Sequence, residues 1–308
     1  MGFSFNANTL AIGGQLEKHG GRKLLPSKGS VTLPQEGGFG ESVICDYCEE
    51  GISFLRAESR VYGSNFGNKL FKSFANVTVY GLDLEGRIQA DVLSASITSI
   101  NERVNGCGGE SRISFDASIV GLVIDGHPYN VELDTKLYLD NGTFAEFIEA
   151  IARMTAAEVE EKARAFNWSI EECRTDGRSH IPQRCQNAAR ASIVSKIAPA
   201  LTGDRPELRQ QGFTIEVPNF GLLHLGEVML TIGKRGINLL RVERGRTIED
   251  LAPLTEIQDV SPESVTAEQR PTALALAEMP MLAAGGDTSG GYTVAHLTGN
   301  GTDFGPPP

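Results

Sequence analysis

The chain has 308 residues, 40% of them hydrophobic and 22% charged, and a net charge of −11. That composition allows a sizeable core in one or two domains. The negative balance excludes nucleic acid and anionic membrane as main partners, because phosphate binding needs a positive surface. The acidity is uneven: residues 247–308 hold nine acids and one base, which leaves −3 for the first 246 residues.

Residues 3–12, FSFNANTLAI, alternate in part and read as a strand. No basic region followed by an apolar run precedes them, so no signal peptide is expected there. Residues 13–40 are rich in Gly, Lys and Pro, with a short strand in SVTLP at 30–34. Then comes VICDYCEEG, residues 43–51, which places Cys45 and Cys48 at CxxC spacing between two strand-like runs. A further strand is expected at 52–63.

The clearest pattern spans 69–139. Long β-branched alternating runs are joined at acid-Gly turns, with Asp125-Gly126 the stronger hairpin signal and Glu85-Gly86 the weaker. Gly81-Leu82-Asp83-Leu84-Glu85-Gly86 echoes Gly121-Leu122-Val123-Ile124-Asp125-Gly126, which suggests two similar hairpins in one sheet.

The period changes at 141. Phe144, Phe147, Ile148 and Ile151 share one helical face, and Thr143 to Glu146 has the form of a capping box. The signature recurs at Thr155 and Ser169, and RCQNAARASIVSKIA (184–198) reads as a further helix between Pro182 and Pro199. The β pattern returns at 212–243. Beyond Arg246 it fades, so the tail is expected to be disordered with a short helix near 265–282. The expected class is therefore α+β, mainly β: antiparallel sheets or a sandwich built from hairpins, with a helical insert and a disordered acidic tail. The expected division is a β-rich region at 1–140, the helical insert at 141–200, strands rejoining the β region at 201–246, and the flexible tail at 247–308.

The phrases AIGG, SVTLPQEGG, GRIQADVLSASITS, ASIVGLVIDGHPYNV and TIEVPNFGLLHLGEVMLTIG together resemble the bacterial choice-of-anchor P proteins. The likeness covers roughly 1–140 and 210–240, and it implies a strand-rich, secreted or cell-surface protein. It assigns no residue a role. The missing leader keeps a cytoplasmic location open as the alternative.

Chemical signals are sparse. The five cysteines are Cys45, Cys48, Cys107, Cys173 and Cys185. A disulfide is expected for Cys173–Cys185, and another for Cys45–Cys48 or for one of them with Cys107. A structural zinc would need a second ligand pair, and no second CxxC or HxxxH occurs, so no cofactor is expected. Acidic neighbours oppose the thiolate that a redox pair needs and argue against one. The histidines are scattered, no GxSxG or HExxH occurs, and Asp83, Asp91, Asp116 and Asp134 read as a solvated strand face. The sequons at Asn76, Asn141, Asn167 and Asn300 matter only in a secreting eukaryote.

Two functions follow. The first is a non-enzymatic β-rich surface, structural or binding protein; one variant is a homo-oligomer assembled through strand pairing by residues 3–12. The alternative is a hydrolase or small-molecule-binding enzyme with a site between the sheet and the helical insert, lined by Phe144, Ile148 and Trp168.

Overall fold

The structure is a computed structural model, which describes residues 3–18, 21–67, 69–104, 107–108, 111–140, 142–143, 146–147, 149–150, 153, 188–201, 208–211, 214–231, 234–251 and 291–300. The strands in chain order are β1 (Asn8–Lys18), β2 (Gly21–Lys28), β3 (Val31–Thr32), β4 (Gly38–Glu49), β5 (Ile52–Phe66), β6 (Leu70–Leu84), β7 (Ile88–Val104), β8 (Cys107–Gly108) and β9 (Arg112–Val120). They continue with β10 (Leu122–Ile124), β11 (His127–Leu133), the one-turn helix α1 (Lys136–Leu139), β12 (Ala188–Ser192), β13 (Val194–Pro199), β14 (Arg209–Gln211), β15 (Thr214–Val217), β16 (Gly221–Thr231), β17 (Lys234–Arg244) and β18 (Gly291–Asn300).

These strands form two antiparallel sheets. The first runs β14-β15-β16-β17-β18-β1-β2, with β12 on β16 and β3 on β1. The second runs β13-β11-β10-β7-β6-β5-β4, with β8 and β9 on β7. The sheets pack face to face through β18 and β1 of the first against β5, β6 and β7 of the second. The approach is close: a Cβ on Gly299 would lie 2.8 Å from Ile97 Cγ2. Ile12, Val79, Leu93, Ile97, Leu240 and Leu297 fill the space between. Such a core follows from strands with one apolar face each.

The long strands β5, β6 and β7 of the second sheet switch their buried face part-way along. In β6, Val77 and Val79 point inward, and then Leu82 and Leu84 do. In β5 the inward set changes from Ile52 and Phe54 to Ala57 and Val61; in β7 it changes from Ile88 and Ala90 to Leu93, Ala95 and Ile97. The switch points line up as Asp46, Leu55, Gly81, Asp91 and Gly121, the residues skipped in the ladders. Asp46 (φ 54°), Gly81 (φ 62°) and Gly121 (φ 67°) are left-handed there. A bulge adds a residue to one strand of a pair and shifts its register. Here neighbouring strands each take the extra residue, so register is preserved and a crease runs from β4 across β5, β6 and β7 to the junction of β9 and β10. Left-handed backbone is nearly free for Gly and tolerable for Asp, but strained for a branched residue.

The crease explains the sequence echo and enlarges it. Left-handed Gly81 and Gly121 each precede a turn by four residues, and both central turn residues have positive φ: Glu85-Gly86 (56° and 68°) and Asp125-Gly126 (49° and 77°). Asp46 stands in the same relation to Glu50-Gly51 (56° and 81°). DYCEEG is thus a third copy, with Asp46 in the glycine's place. Both turns expected from the sequence form.

The first sheet has a matching crease at Gly226 (φ 60°), Leu239, Ala295 (φ 53°) and Ala11, again skipped in an unshifted ladder. The sheets are tied together at the turn end. Arg87 binds Asp125 at 2.6 and 2.7 Å and the Pro218 carbonyl at 2.7 Å, while the Arg244 guanidinium lies 4.1 Å from the Phe220 ring centroid and 3.1 Å from Glu85.

Three expectations need correction. Residues 188–199 are strands rather than helix: β12 pairs with β16, Ser192 Oγ accepts from Val194 N–H and donates to the Leu225 carbonyl, and β13 then joins β11 in the other sheet. Ladder bonds and burial of Ile193 and Val194 outweigh the helical propensity of the alanines. The helical insert is therefore not supported, although the Thr143–Glu146 capping box forms, with reciprocal bonds of 3.1 Å. The caps at Thr155 and Ser169 lie outside the described residues. The tail is not wholly unstructured either: β18 sits between β17 and β1. Its apolar Tyr292, Val294 and Leu297 are buried, a signal masked by the surrounding Gly and Thr. Lastly, β1 is paired on both sides, by β18 and by β2 and β3, so it offers no edge to a neighbour.

Candidate functional site

The CxxC pair lies on the ladder, not on a turn. Cys45 faces Arg56 and Cys48 faces Ser53 on β5. Three residues of strand separate their Cα atoms by roughly 9–10 Å, outside the ~4.4–6.8 Å a disulfide spans. Both are free, exposed thiols. In a flat strand, residues three apart point to opposite faces; the crease at Asp46 places both on the outer face. A bond to Cys107 is ruled out by distance. Cys45 shares a ladder row with Val92, and Cys107 pairs with Val104, twelve residues further along β7, on the order of 40 Å. Cys173 and Cys185 lie outside the described residues. Among the described residues no group of three His, Cys, Asp or Glu side chains could hold a metal ion.

What the hairpin does present is apolar surface. Of nine exposed large hydrophobic residues among those described, five lie on β4–β5: Phe39 (62%), Val43, Leu55 (67%), Tyr62 and Phe66. Phe39, Tyr62 and Phe74 form one row across three strands. Charged residues alternate with these side chains on the same face: the Arg60–Glu41 pair (2.7 Å) lies between the Phe39–Tyr62 row and Val43, and Val43 faces Glu58, which pairs with Arg56 at 2.8 Å. On the inner side, Tyr47 stacks on Phe54 at 4.8 Å, and burial together with Glu49 pushes its phenol up to about 12.

A second cluster lies on the first sheet. Arg241 binds Glu227 through Nε at 2.8 Å and Nη2 at 2.9 Å, and also pairs with Glu243. Asn238 donates to Glu227 at 3.1 Å and shares a 2.6 Å bond with His296. Thr214 Oγ1 lies 2.9 Å from His224 Nδ1, and His224 Nε2 makes a long 3.4 Å contact with Glu243. Burial lowers the His224 pKa, so the ring is neutral near pH 7. Burial alone would raise Glu243, but His224 and Arg241 overcome it and hold that carboxyl well below the carboxylate range. The order hydroxyl, imidazole, carboxylate matches a hydrolytic triad in outline only. Thr214 is fully buried, and Arg241 neutralises the carboxylate.

The four strand acids do not converge. Asp83 accepts from Gly86 N–H (2.6 Å) and Gln89 (2.9 Å), and Asp134 accepts from Lys136 N–H at 2.9 Å. Asp91 lies over Gly121, and Asp116 is exposed opposite Ser96. Asn76 spends its amide on the Ala95 carbonyl. Phe144, Ile148 and Trp168 lie outside the described residues. The sequence offered one missed signal for the ionic cluster: His224 and Glu227 interrupt an otherwise apolar run, LLHLGEVML.

The family model described as "Domain of unknown function (DUF8256)" matches residues 3–231, well over half of the chain. The chain belongs to this family. No curated protein and no solved structure matches it. The family match ends at Thr231, yet β17 and β18 beyond it are central strands of the first sheet.

Proposed function

We propose that this protein is a non-enzymatic binding protein, with a secreted or surface location, that engages a macromolecular partner through its β4–β5 hairpin. The observation that carries this reading is the concentration of exposed apolar side chains on one hairpin at the sheet's rim. Such a patch is costly to leave in water and is kept where a partner covers it. The ionic cluster supports the same reading, because Arg241 occupies the carboxylates of Glu227 and Glu243 and Thr214 is fully buried.

The test compares the native chain with a Phe39→Ser, Val43→Ser, Tyr62→Ser variant. All three residues are exposed, so the fold should survive, which circular dichroism checks. Affinity capture from the cells that make the protein should yield partners with the native chain and lose them with the variant. Identical capture by both would overturn the proposal.

A further inference from the structure

We infer that the outer edge of β4 accepts an extended, basic segment of a partner protein as an added strand, an inference that rests on the hairpin being the binding site. Among the described residues nothing pairs with the outer side of β4. A free edge exposes a row of unpaired N–H and C=O groups, and proteins usually guard such edges with Lys, Pro or short length. Three other outer strands follow that practice. β2 carries Arg22, Lys23, Pro26 and Lys28; β13 carries Lys196 and Pro199; β14 has three residues. β9 is covered by α1, where Tyr138 meets Phe115 edge-on at 6.1 Å. β4 has twelve residues, GFGESVICDYCE, and no Lys, Arg or Pro. Its guards are acids and the left-handed Asp46 rather than Lys or Pro, and among the described residues no strand pairs with its outer side.

Charge selects the occupant. β4 carries Glu41, Asp46 and Glu49 and no base; Arg60 on β5 pairs with Glu41, which leaves Asp46 and Glu49 to meet an incoming strand. A second copy paired edge to edge would place two sets of these acids along one seam with no base of β4 to offset them. A basic strand would meet complementary charge. Main-chain bonds then supply affinity, and alternate side chains supply selectivity. Apolar side chains of the incoming strand cover Phe39 and Val43, and its lysines or arginines reach Asp46 beyond the run Gly38–Cys45.

The probe is a fluorescent, acetylated nine-residue peptide of alternating Val and Thr with Lys at every fourth position, titrated against the full chain by anisotropy. Binding is expected, and replacing Lys by Glu should weaken it at least tenfold. Asp46→Asn keeps a residue tolerant of left-handed backbone and removes the charge; it should weaken binding about two- to fivefold, as one exposed ion pair does. N-methylating one set of alternate peptide amides should abolish binding, while methylating the other set should spare it, because only one side of the added strand faces β4. Absence of binding, equal binding of the acidic peptide, or tolerance of both methylation patterns overturns the inference. Concentration-dependent dimerisation that protects the amides of residues 38–49 from exchange also overturns it, by making the occupant a second copy; the binding role of the hairpin would stand. That role fails only if the Phe39/Val43/Tyr62 variant captures the same partners as the native chain.

Discussion

The two sheets share one backbone device and use it differently. Both carry a crease with left-handed residues on alternate strands: Asp46, Gly81 and Gly121 in one, Gly226 and Ala295 in the other. In the first sheet, the face beside the crease holds a network of hydrogen bonds and ion pairs in which Glu227, Asn238 and His224 are buried and Arg241 and His296 partly buried. In the second, the same position opens onto solvent with apolar and thiol side chains. Buried charges must be paired or they destabilise, so the first sheet is committed to one arrangement. The exposed face carries no such obligation and can change partners at little cost to the fold.

Deleting residues 291–300 is the severest way to break the comparison. It removes β18 from between β17 and β1, so the first sheet loses its middle and the chain should fail to fold, read by loss of a cooperative urea transition. A chain ending at Thr231, the limit of the family match, should fail likewise. Next in size is the ionic cluster. Glu227→Ala leaves Arg241 with one partner fewer in a buried site and should cost about 3–5 kcal/mol in urea denaturation. Arg60→Ala, on the exposed sheet, should cost less than about 1 kcal/mol. If the two losses are similar, the distinction between the sheets fails.

Crease substitutions come third. Gly81→Val places a branched residue at φ 62° with its Cβ 2.7 Å from Leu55; about 1–2 kcal/mol of backbone strain and about 1–3 of overpacking are expected in chemical denaturation. Gly226→Val, at φ 60° and 2.8 Å from Ile193, should behave alike. Asp46→Gly should instead be neutral or stabilising by up to about 1 kcal/mol. A loss there would show that the third copy is not equivalent.

The pH dependence sharpens the contrast most finely. His224 is lowered by burial, so the unfolded chain takes up its proton first. Its contribution is complete above the unfolded value of about 6.5 and is lost as pH falls from there through the lowered folded value. The slope can reach about 1.4 kcal/mol per pH unit. Glu243 is also depressed, so its contribution is present above about 4.3 and falls away below. Stability measured from pH 7 to 5 should decline for the native chain and stay flatter for His224→Gln. A native profile without slope would show that His224 is not buried neutral.

Local chemistry determined much of this by itself. Alternation in KLFKSFANVTVYG and SRISFDASIV, with left-handed acid-Gly pairs, specified the hairpins and their turns, because period-two burial and positive φ are properties of short segments. The Thr143 capping box was equally local. Only the tertiary structure decided that ARASIVSKIA is strand, that a Gly- and Thr-rich stretch in the tail is a central strand, and that β1 is interior, since each depends on a neighbour distant in sequence. The same holds for Cys45 and Cys48. CxxC spacing suggests proximity, but extended backbone holds the two apart, and the crease that turns them outward exists because five strands share it.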